Sequence, residues 1–191
     1  MNAILSLQYL QSLTDCHHYE KGFKTKIMKS LLLVSCTLFC FFGNINAQVS
    51  NTFDELKKLE GQWAGVLNKT NRTSMDFTLK YSVRSGGSAI LEESNEGGIE
   101  MLTIYNVQNK HLHSSHYCAL LNRPISTLES NIEGVLSFKT DVKKSDLNAL
   151  KNTYVNTWKH NLLPNKRDEF IYQFTVKGPQ GNKFIATAVM T

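Results

Sequence analysis

Apolar side chains occupy every second position along much of the chain beyond residue 60. The clearest run is Met75, Phe77, Leu79, Tyr81 and Val83, with polar residues between its members. A period of two is typical of a β-strand with one buried face, because successive side chains point to opposite faces of a sheet. Similar short segments continue to Met190 and are separated by turns rich in Gly, Asn and Pro. From Trp63 onward this pattern predicts about ten strands.

Helical spacing is clear only ahead of these strands. Thr52-Phe53-Asp54-Glu55 has the form of a capping box and predicts a short helix over residues 52–59. Its apolar residues, Phe53, Leu56 and Leu59, share one face, and Gly61 follows its end. A weaker pattern predicts one helical turn at residues 145–150.

The short connections between the predicted strands favour antiparallel neighbours, because parallel strands need long crossover segments. A meander of antiparallel strands buries a common face and removes its exposed edges by closing on itself. We therefore predict an all-β fold, an antiparallel meander of about ten strands closed into a barrel, with a short helix at its N-terminal side. A sandwich of two sheets is the alternative, since the period alone does not separate the two.

The first 47 residues have the character of a targeting segment. Lys24, Lys26 and Lys29 precede a weakly polar to apolar run at residues 31–42, and Ala47 follows it. A basic region, a short apolar stretch and a small residue predict a secretory signal peptide cut after Ala47. The apolar run is too short for a transmembrane helix. We therefore expect residues 48–191 to form a single exported domain, periplasmic or secreted.

Two further readings concern this segment. A start at Met28 gives a signal peptide of ordinary length, so we expect Met1 to precede the true start. The residues up to Cys36 also match a lipobox, the site of a lipid anchor, but the apolar run continues past Cys36. We therefore expect no anchor there.

Charge and cysteine content narrow the range of functions. The net charge of +5 divides into +2 over residues 1–47 and +3 over residues 48–191. An excess of three positive charges is too small to predict nucleic-acid binding by the domain. Removal of the signal peptide leaves Cys118 alone, so no internal disulfide is possible. The sequence has no P-loop and no dinucleotide-binding glycine fingerprint, and we expect no cofactor.

Several motifs carry a family resemblance. Gly61-Gln62-Trp63, after the short helix, is similar to the G-x-W signature of lipocalins and other calycins. His116-Tyr117-Cys118-Ala119, followed by Asn122-Arg123-Pro124, resembles a family of uncharacterised, often exported, bacterial lipocalin-like β-barrel proteins. The resemblance implies structural roles for Gly61 and Trp63, with the indole plugging the closed end of the barrel.

The chain also departs from its relatives. Lipocalins often place an Arg near the last strand, against the Trp, whereas this strand offers only Lys183. A His-x-His pair of the family aligns with Tyr154-Val155-Asn156, so no role of that pair transfers. We accordingly expect the strand to lack the proximal histidine of haem-binding barrels.

Along residues 112–120, alternate side chains form two faces of a predicted strand, and the more apolar face is expected to point into the barrel. Leu112, Ser114, His116, Cys118 and Leu120 form the more apolar set, which leaves His111 and His113 outside. An imidazole at His116 then needs a hydrogen bond, because an unpaired buried polar group is costly. Either His116 is tied to a polar neighbour and sets the strand register, or it faces an internal ligand. Because His111 and His113 lie on the opposite face, we predict no metal site.

The remaining candidates for ligand binding come from other strands. Phe77, Tyr81, Tyr105 and Tyr172 are predicted pocket residues together with His116 and Cys118. Arg123 lies at a strand end near the expected mouth, where it binds an acidic head group or caps carbonyls. With Ala89 and Leu91 taken as inward, Glu93 points into the barrel and Glu92 away from it. A bulge at Gly86-Gly87 would exchange the two carboxylates.

Two classes of function follow, with a third that is simpler. The first is an exported carrier that holds a small hydrophobic or amphipathic molecule inside the barrel. The second is an enzyme that uses the cavity, with His116 as general base and a carboxylate or Arg123 as its partner. The third is an interaction module with a completely packed interior. No transmembrane anchor is expected, and the pattern leaves the oligomeric state open.

Overall fold

A computed structural model of the protein describes Val49 and residues 51–191. Here ten antiparallel strands each pair with the next along the chain, and the last pairs with the first, closing a barrel. The strands are β1 (Gly61–Lys69), β2 (Ser74–Arg84), β3 (Ala89–Glu96), β4 (Ile99–Gln108), β5 (His111–Tyr117), β6 (Ile125–Ile132), β7 (Val135–Thr140), β8 (Tyr154–Leu162), β9 (Phe170–Gly178) and β10 (Gly181–Met190).

The predicted fold class is confirmed, and the sandwich alternative is wrong. On β2 the alternation has the expected consequence, since Phe77, Leu79 and Tyr81 are buried. Polar residues between them, such as Lys80, face outward. A common interior shared by all ten strands in residues 51–191 therefore holds most of the buried apolar side chains.

The helix differs in detail from the prediction. Val49 and residues 51–57 are helical, so Thr52 lies within the helix and does not begin it. The side-chain amide of Asn131 donates to Thr52 Oγ1 over 3.0 Å and to Glu55 Oε2 over 2.8 Å, which ties the helix to the end of β6. The helical turn predicted at residues 145–150 is also wrong, because the chain forms turns at residues 142–146 and 149–151 and is irregular at 147–148.

The helix covers the end of the barrel where β1 begins. Phe53, Leu56 and Leu59 are buried in the same core as the strands. Trp63 Nε1 donates to the Leu59 carbonyl over 2.7 Å, and its ring meets Phe170 edge-on with centroids 4.9 Å apart. This end of the barrel is closed by packing between the helix and the first residues of β1 and β9.

The barrel and its helix belong to a unit that spans Gln48–Thr191. The predicted signal peptide of residues 1–47, the alternative start at Met28 and the question of an anchor at Cys36 lie outside the described residues. Within the described part, no helix has both the length and the apolar character needed to cross a membrane.

Candidate functional site

Four polar side chains form a row across neighbouring strands of the barrel interior. The strand registers pair Tyr81 with Glu92, Glu92 with Thr103, and Thr103 with His116. Residues directly opposite each other in an antiparallel pair project from the same face. All four side chains are therefore inward, and all four are buried.

This row corrects the predicted orientation of the two glutamates. Glu92 is fully buried, whereas the Glu93 side chain is 47% exposed and forms an ion pair with Lys80 at 3.0 Å. The inward prediction for Glu93 is wrong because of the register between β2 and β3. Glu92 lies opposite Tyr81, which points inward, and Glu93 lies opposite Lys80, which points outward. The strands are joined by a short 3₁₀ turn, Ser85–Gly87, in which Gly86 and Gly87 adopt positive φ.

Glu92 is the centre of a buried hydrogen-bonded group. Its Oε2 accepts from the Tyr105 hydroxyl over 2.7 Å, and its Oε1 accepts from Thr103 and Tyr172 over 3.0 and 3.2 Å. His160 Nε2 lies 3.7 Å from Oε2. Burial by itself opposes ionisation of Glu92, but the close approach of His160, helped by the tyrosine hydroxyls, brings its pKa below the usual carboxyl value.

The aromatic hydroxyls around Glu92 complete what we call the polar layer: Tyr81, Glu92, Thr103, Tyr105, His160 and Tyr172. The Tyr81 hydroxyl is 3.1 Å from His160 Nε2 and links the two sides of the barrel. Burial, followed by the negative charge of Glu92, raises the pKa of Tyr81, Tyr105 and Tyr172 well above the usual value. The hydroxyls consequently stay protonated as hydrogen-bond donors.

His160 was absent from the predicted site. The sequence analysis considered only Tyr154-Val155-Asn156 of β8, where no histidine stands, whereas His160 further along the strand is fully buried and stacks on Phe170. Trp158 and His160 stand two apart with Lys159 between them, so the alternating pattern held the necessary signal. The pairing of β8 with β9 has a register shift between Val155 and Thr157. The alternation of inward and outward residues is therefore not continuous from Tyr154-Val155-Asn156 to Trp158 and His160.

The predicted orientation of β5 is confirmed. Leu112, Ser114 and His116 are buried, while His111 and Tyr117 are exposed. His116 Nδ1 is 2.9 Å from Thr103 Oγ1, the same oxygen that is bonded to Glu92. Burial lowers the pKa of His116, an effect that the negative charges of Glu92 and Glu96 only partly offset.

A cavity of about 420 Å³ lies on the other side of the polar layer from the helix. Its position follows from its lining, which comes from the end of β1, the start of β2 and the corresponding ends of the other strands. Lys69 and Glu96 form an ion pair in this lining. Most of the remaining lining is apolar or aromatic, and it includes Phe77, Met101, His116, Cys118, Val155, Trp158, Tyr172, Phe174, Val176 and Phe184.

The predicted site residues thus fall into three groups. His116, Cys118, Phe77 and Tyr172 line the cavity. Tyr81 and Tyr105 are buried in the polar layer and are not among the lining residues. Arg123 and Glu93 are exposed outside the cavity. The sequence analysis did not assign Glu92, Thr103 and His160 to the site, although all three are buried in the polar layer.

The chemistry available to the cavity is limited in two respects. Burial raises the pKa of the Cys118 thiol, which disfavours the thiolate needed for nucleophilic attack. Among residues 51–191, no three His, Cys, Asp or Glu side chains are grouped so as to hold a metal ion. The cavity therefore offers a mostly apolar wall that contains the His116 imidazole and the Lys69–Glu96 ion pair.

Comparisons with known proteins add little to this site. No protein-family model and no curated protein matches the chain. A protein of unknown function from the DUF3598 family of Nostoc punctiforme is 12% identical, covers 70% of this chain and has a TM-score of 0.48. The present chain spans 47% of that protein's length.

Two further solved structures match at lower similarity. The protein EF1p2_mFAP2b bound to DFHBI is 10% identical, with 71% of this chain and 94% of that chain covered and a TM-score of 0.34. A redesigned β-barrel is 11% identical, with 69% and 90% covered and a TM-score of 0.32.

Proposed function

We propose that this protein is an exported lipocalin-like carrier that binds one small, largely apolar molecule in its cavity. The observation that carries the proposal is the apolar-lined space of about 420 Å³ inside the barrel. Cavities of roughly 300–1,000 Å³ with apolar walls and a few polar groups are typical small-molecule sites. The family resemblance and the signal-like segment of residues 1–47 support export.

The size and position of the cavity limit the ligand. The polar layer fills the middle of the barrel, and the helix and Trp63 close the far end. A ligand therefore has only the space on the Lys69 and Glu96 side of the polar layer. This favours a compact ring system or short chain over a long acyl chain.

A fluorescent reporter tests the proposal directly. N-phenyl-1-naphthylamine, an uncharged dye that brightens in apolar sites, is titrated into the purified protein produced from the full chain. Val176, which is buried and lines the cavity, is replaced by Trp to fill the space. We expect Val176→Trp to abolish dye binding, while Val66→Trp, on an exposed position of β1, leaves it unchanged.

Circular dichroism checks that each variant is folded. Should Val176→Trp fail to fold, Met101→Trp on β4 fills the same cavity from another wall. Absence of dye binding to the wild-type protein, or equal binding by the filled and unfilled proteins, contradicts the carrier proposal.

An enzyme is the second candidate, and one observation favours it. His116 lines the cavity and its Nδ1 is bonded through Thr103 to Glu92, an arrangement that orients a general base. Hydrolysis of p-nitrophenyl butyrate tests this reading. His116→Phe should reduce the rate to background and His111→Phe, on the outer face of β5, should not. Equal rates for all three proteins contradict a catalytic role of His116 in ester hydrolysis.

A further inference from the structure

The hydrogen bonds around Thr103 determine where the proton of His116 lies. Glu92 has a lowered pKa, is ionised at neutral pH and can only accept. A threonine hydroxyl has one proton, and Thr103 donates it to Glu92 Oε1 over 3.0 Å. Thr103 Oγ1 must therefore accept from His116 Nδ1, 2.9 Å away. The chain from Glu92 to His116 thus selects the tautomer with the proton on Nδ1.

The other ring nitrogen of His116 is then an acceptor. In the neutral imidazole Nε2 carries a lone pair, and burial favours the neutral form. In residues 51–191, hydrogen bonding of the His116 side chain is confined to Nδ1. Because His116 itself lines the cavity, Nε2 is the group that a bound molecule can contact.

Trp158 lies next to this acceptor. Its indole nitrogen is buried and has no hydrogen-bond partner among the described residues. The indole lines the same cavity, and its ring centroid is 5.6 Å from that of His116. The two rings are therefore neighbours in the cavity wall.

We propose that the cavity selects an uncharged amphipathic alcohol or phenol, whose hydroxyl donates to His116 Nε2 beside the indole of Trp158. This inference rests on the proposed carrier function and identifies the class of its ligand. A carboxylate matches this acceptor poorly, because it cannot donate and would face the lone pair of Nε2. Two lysines line the cavity: the ammonium of Lys69 is already paired with Glu96, and Lys183 is exposed to solvent, where its charge is screened.

Four ligands that share a naphthalene ring separate the contributions of the apolar ring, the hydroxyl proton and a negative charge to binding. Naphthalene, 2-naphthol, 2-methoxynaphthalene and 2-naphthoate are titrated at neutral pH as competitors of N-phenyl-1-naphthylamine. We expect 2-naphthol to bind about tenfold more tightly than 2-methoxynaphthalene, the loss expected for one buried hydrogen bond. The charged 2-naphthoate should bind more weakly than 2-naphthol. Equal or tighter binding of the ether or the carboxylate overturns the inference.

Two substitutions assign this preference to its residues. His116→Phe should reduce the ratio of 2-naphthol to 2-methoxynaphthalene affinity to about one, because a phenyl ring has no acceptor. Thr103→Val should lower the same ratio by removing the group that holds the proton on Nδ1, and Thr103→Ser should preserve it. A purely structural role of Thr103 would lower the melting temperature without altering the ratio, which would contradict its positioning role.

The carrier proposal and this inference fail in different ways. If none of the four ligands displaces the dye, and filling the cavity with Val176→Trp changes nothing, the cavity is not a binding site. If naphthalene and 2-naphthol bind equally and Val176→Trp abolishes both, the carrier function stands and the preference for a hydroxyl is wrong.

Discussion

The Tyr105 hydroxyl donates to Glu92 Oε2 over 2.7 Å inside the barrel, with both side chains fully shielded from solvent. A carboxylate in such a place needs several donors, because its transfer out of water is otherwise very costly. Tyr105, Thr103 and Tyr172 supply them. The groups of the polar layer therefore depend on one another for their hydrogen bonds. Through Thr103 the layer also orients His116, which lines the cavity.

Replacing Glu92 by Ala should destabilise the protein severely. The three hydroxyl donors would lose their acceptor and a cavity would remain, so we expect a loss of about 3–5 kcal/mol in the free energy of unfolding. Denaturant titration followed by circular dichroism measures it. Glu93→Ala is the matched control, since this neighbour is half-exposed and should change stability by less than about 0.5 kcal/mol. Similar losses for both variants would contradict the burial of Glu92.

Stability should fall in acid because of Glu92. Its pKa is lower in the folded than in the unfolded chain, so ionised Glu92 stabilises the fold above the unfolded carboxyl pKa of about 4.3. That contribution is lost as the pH falls through the lower folded value. Unfolding curves at a series of acidic pH values measure the slope. Glu92→Gln should flatten it, and an unchanged slope in that variant would show that other carboxylates cause the acid sensitivity.

Stability should also fall in alkali because of the buried tyrosines. The pKa values of Tyr81, Tyr105 and Tyr172 are raised in the folded protein, so their contribution is complete below the unfolded value of about 10. It is lost as the pH rises from there through the folded values. Absorbance titration at the tyrosinate band should show these three ionising only together with unfolding. Ionisation of these three tyrosines in the still-folded protein would contradict the prediction.

Gly65→Ala should weaken the closure of the barrel between β1 and β10. A Cβ at Gly65 would collide with the backbone carbonyl oxygen of Val189, which cannot move without shifting β10. We expect a loss of about 1–3 kcal/mol, the usual cost of overpacking. Thermal unfolding measures it, with Val66→Ala at the neighbouring exposed position as control. Unchanged stability of Gly65→Ala would argue against this close approach of the strands.

Much of the fold could be predicted from local pattern. Alternation over residues 75–83 indicates a strand with one buried face, because successive side chains of a strand point to opposite sides of the sheet. This holds whichever strands are its neighbours. On β5 the same reasoning placed His116 inside, since its face is the more apolar one. In Ala89, Ile90 and Leu91, apolar residues fall on both faces of the strand, so alternation does not show which face is buried. For this reason the predicted orientations of Glu92 and Glu93 were the reverse of those in the structure.

The sequence by itself determined the strands, their antiparallel order and the short helix, because these depend on side-chain periodicity and turn residues within a few positions. Only the tertiary structure decided which polar residues meet. Tyr81 and His160 are separated by 79 positions, and Glu92 and Tyr172 by 80, yet closure of the barrel brings each pair into hydrogen-bond distance. Whether the interior is packed or hollow was likewise decided there, because it depends on how side chains from opposite walls fill the enclosed volume.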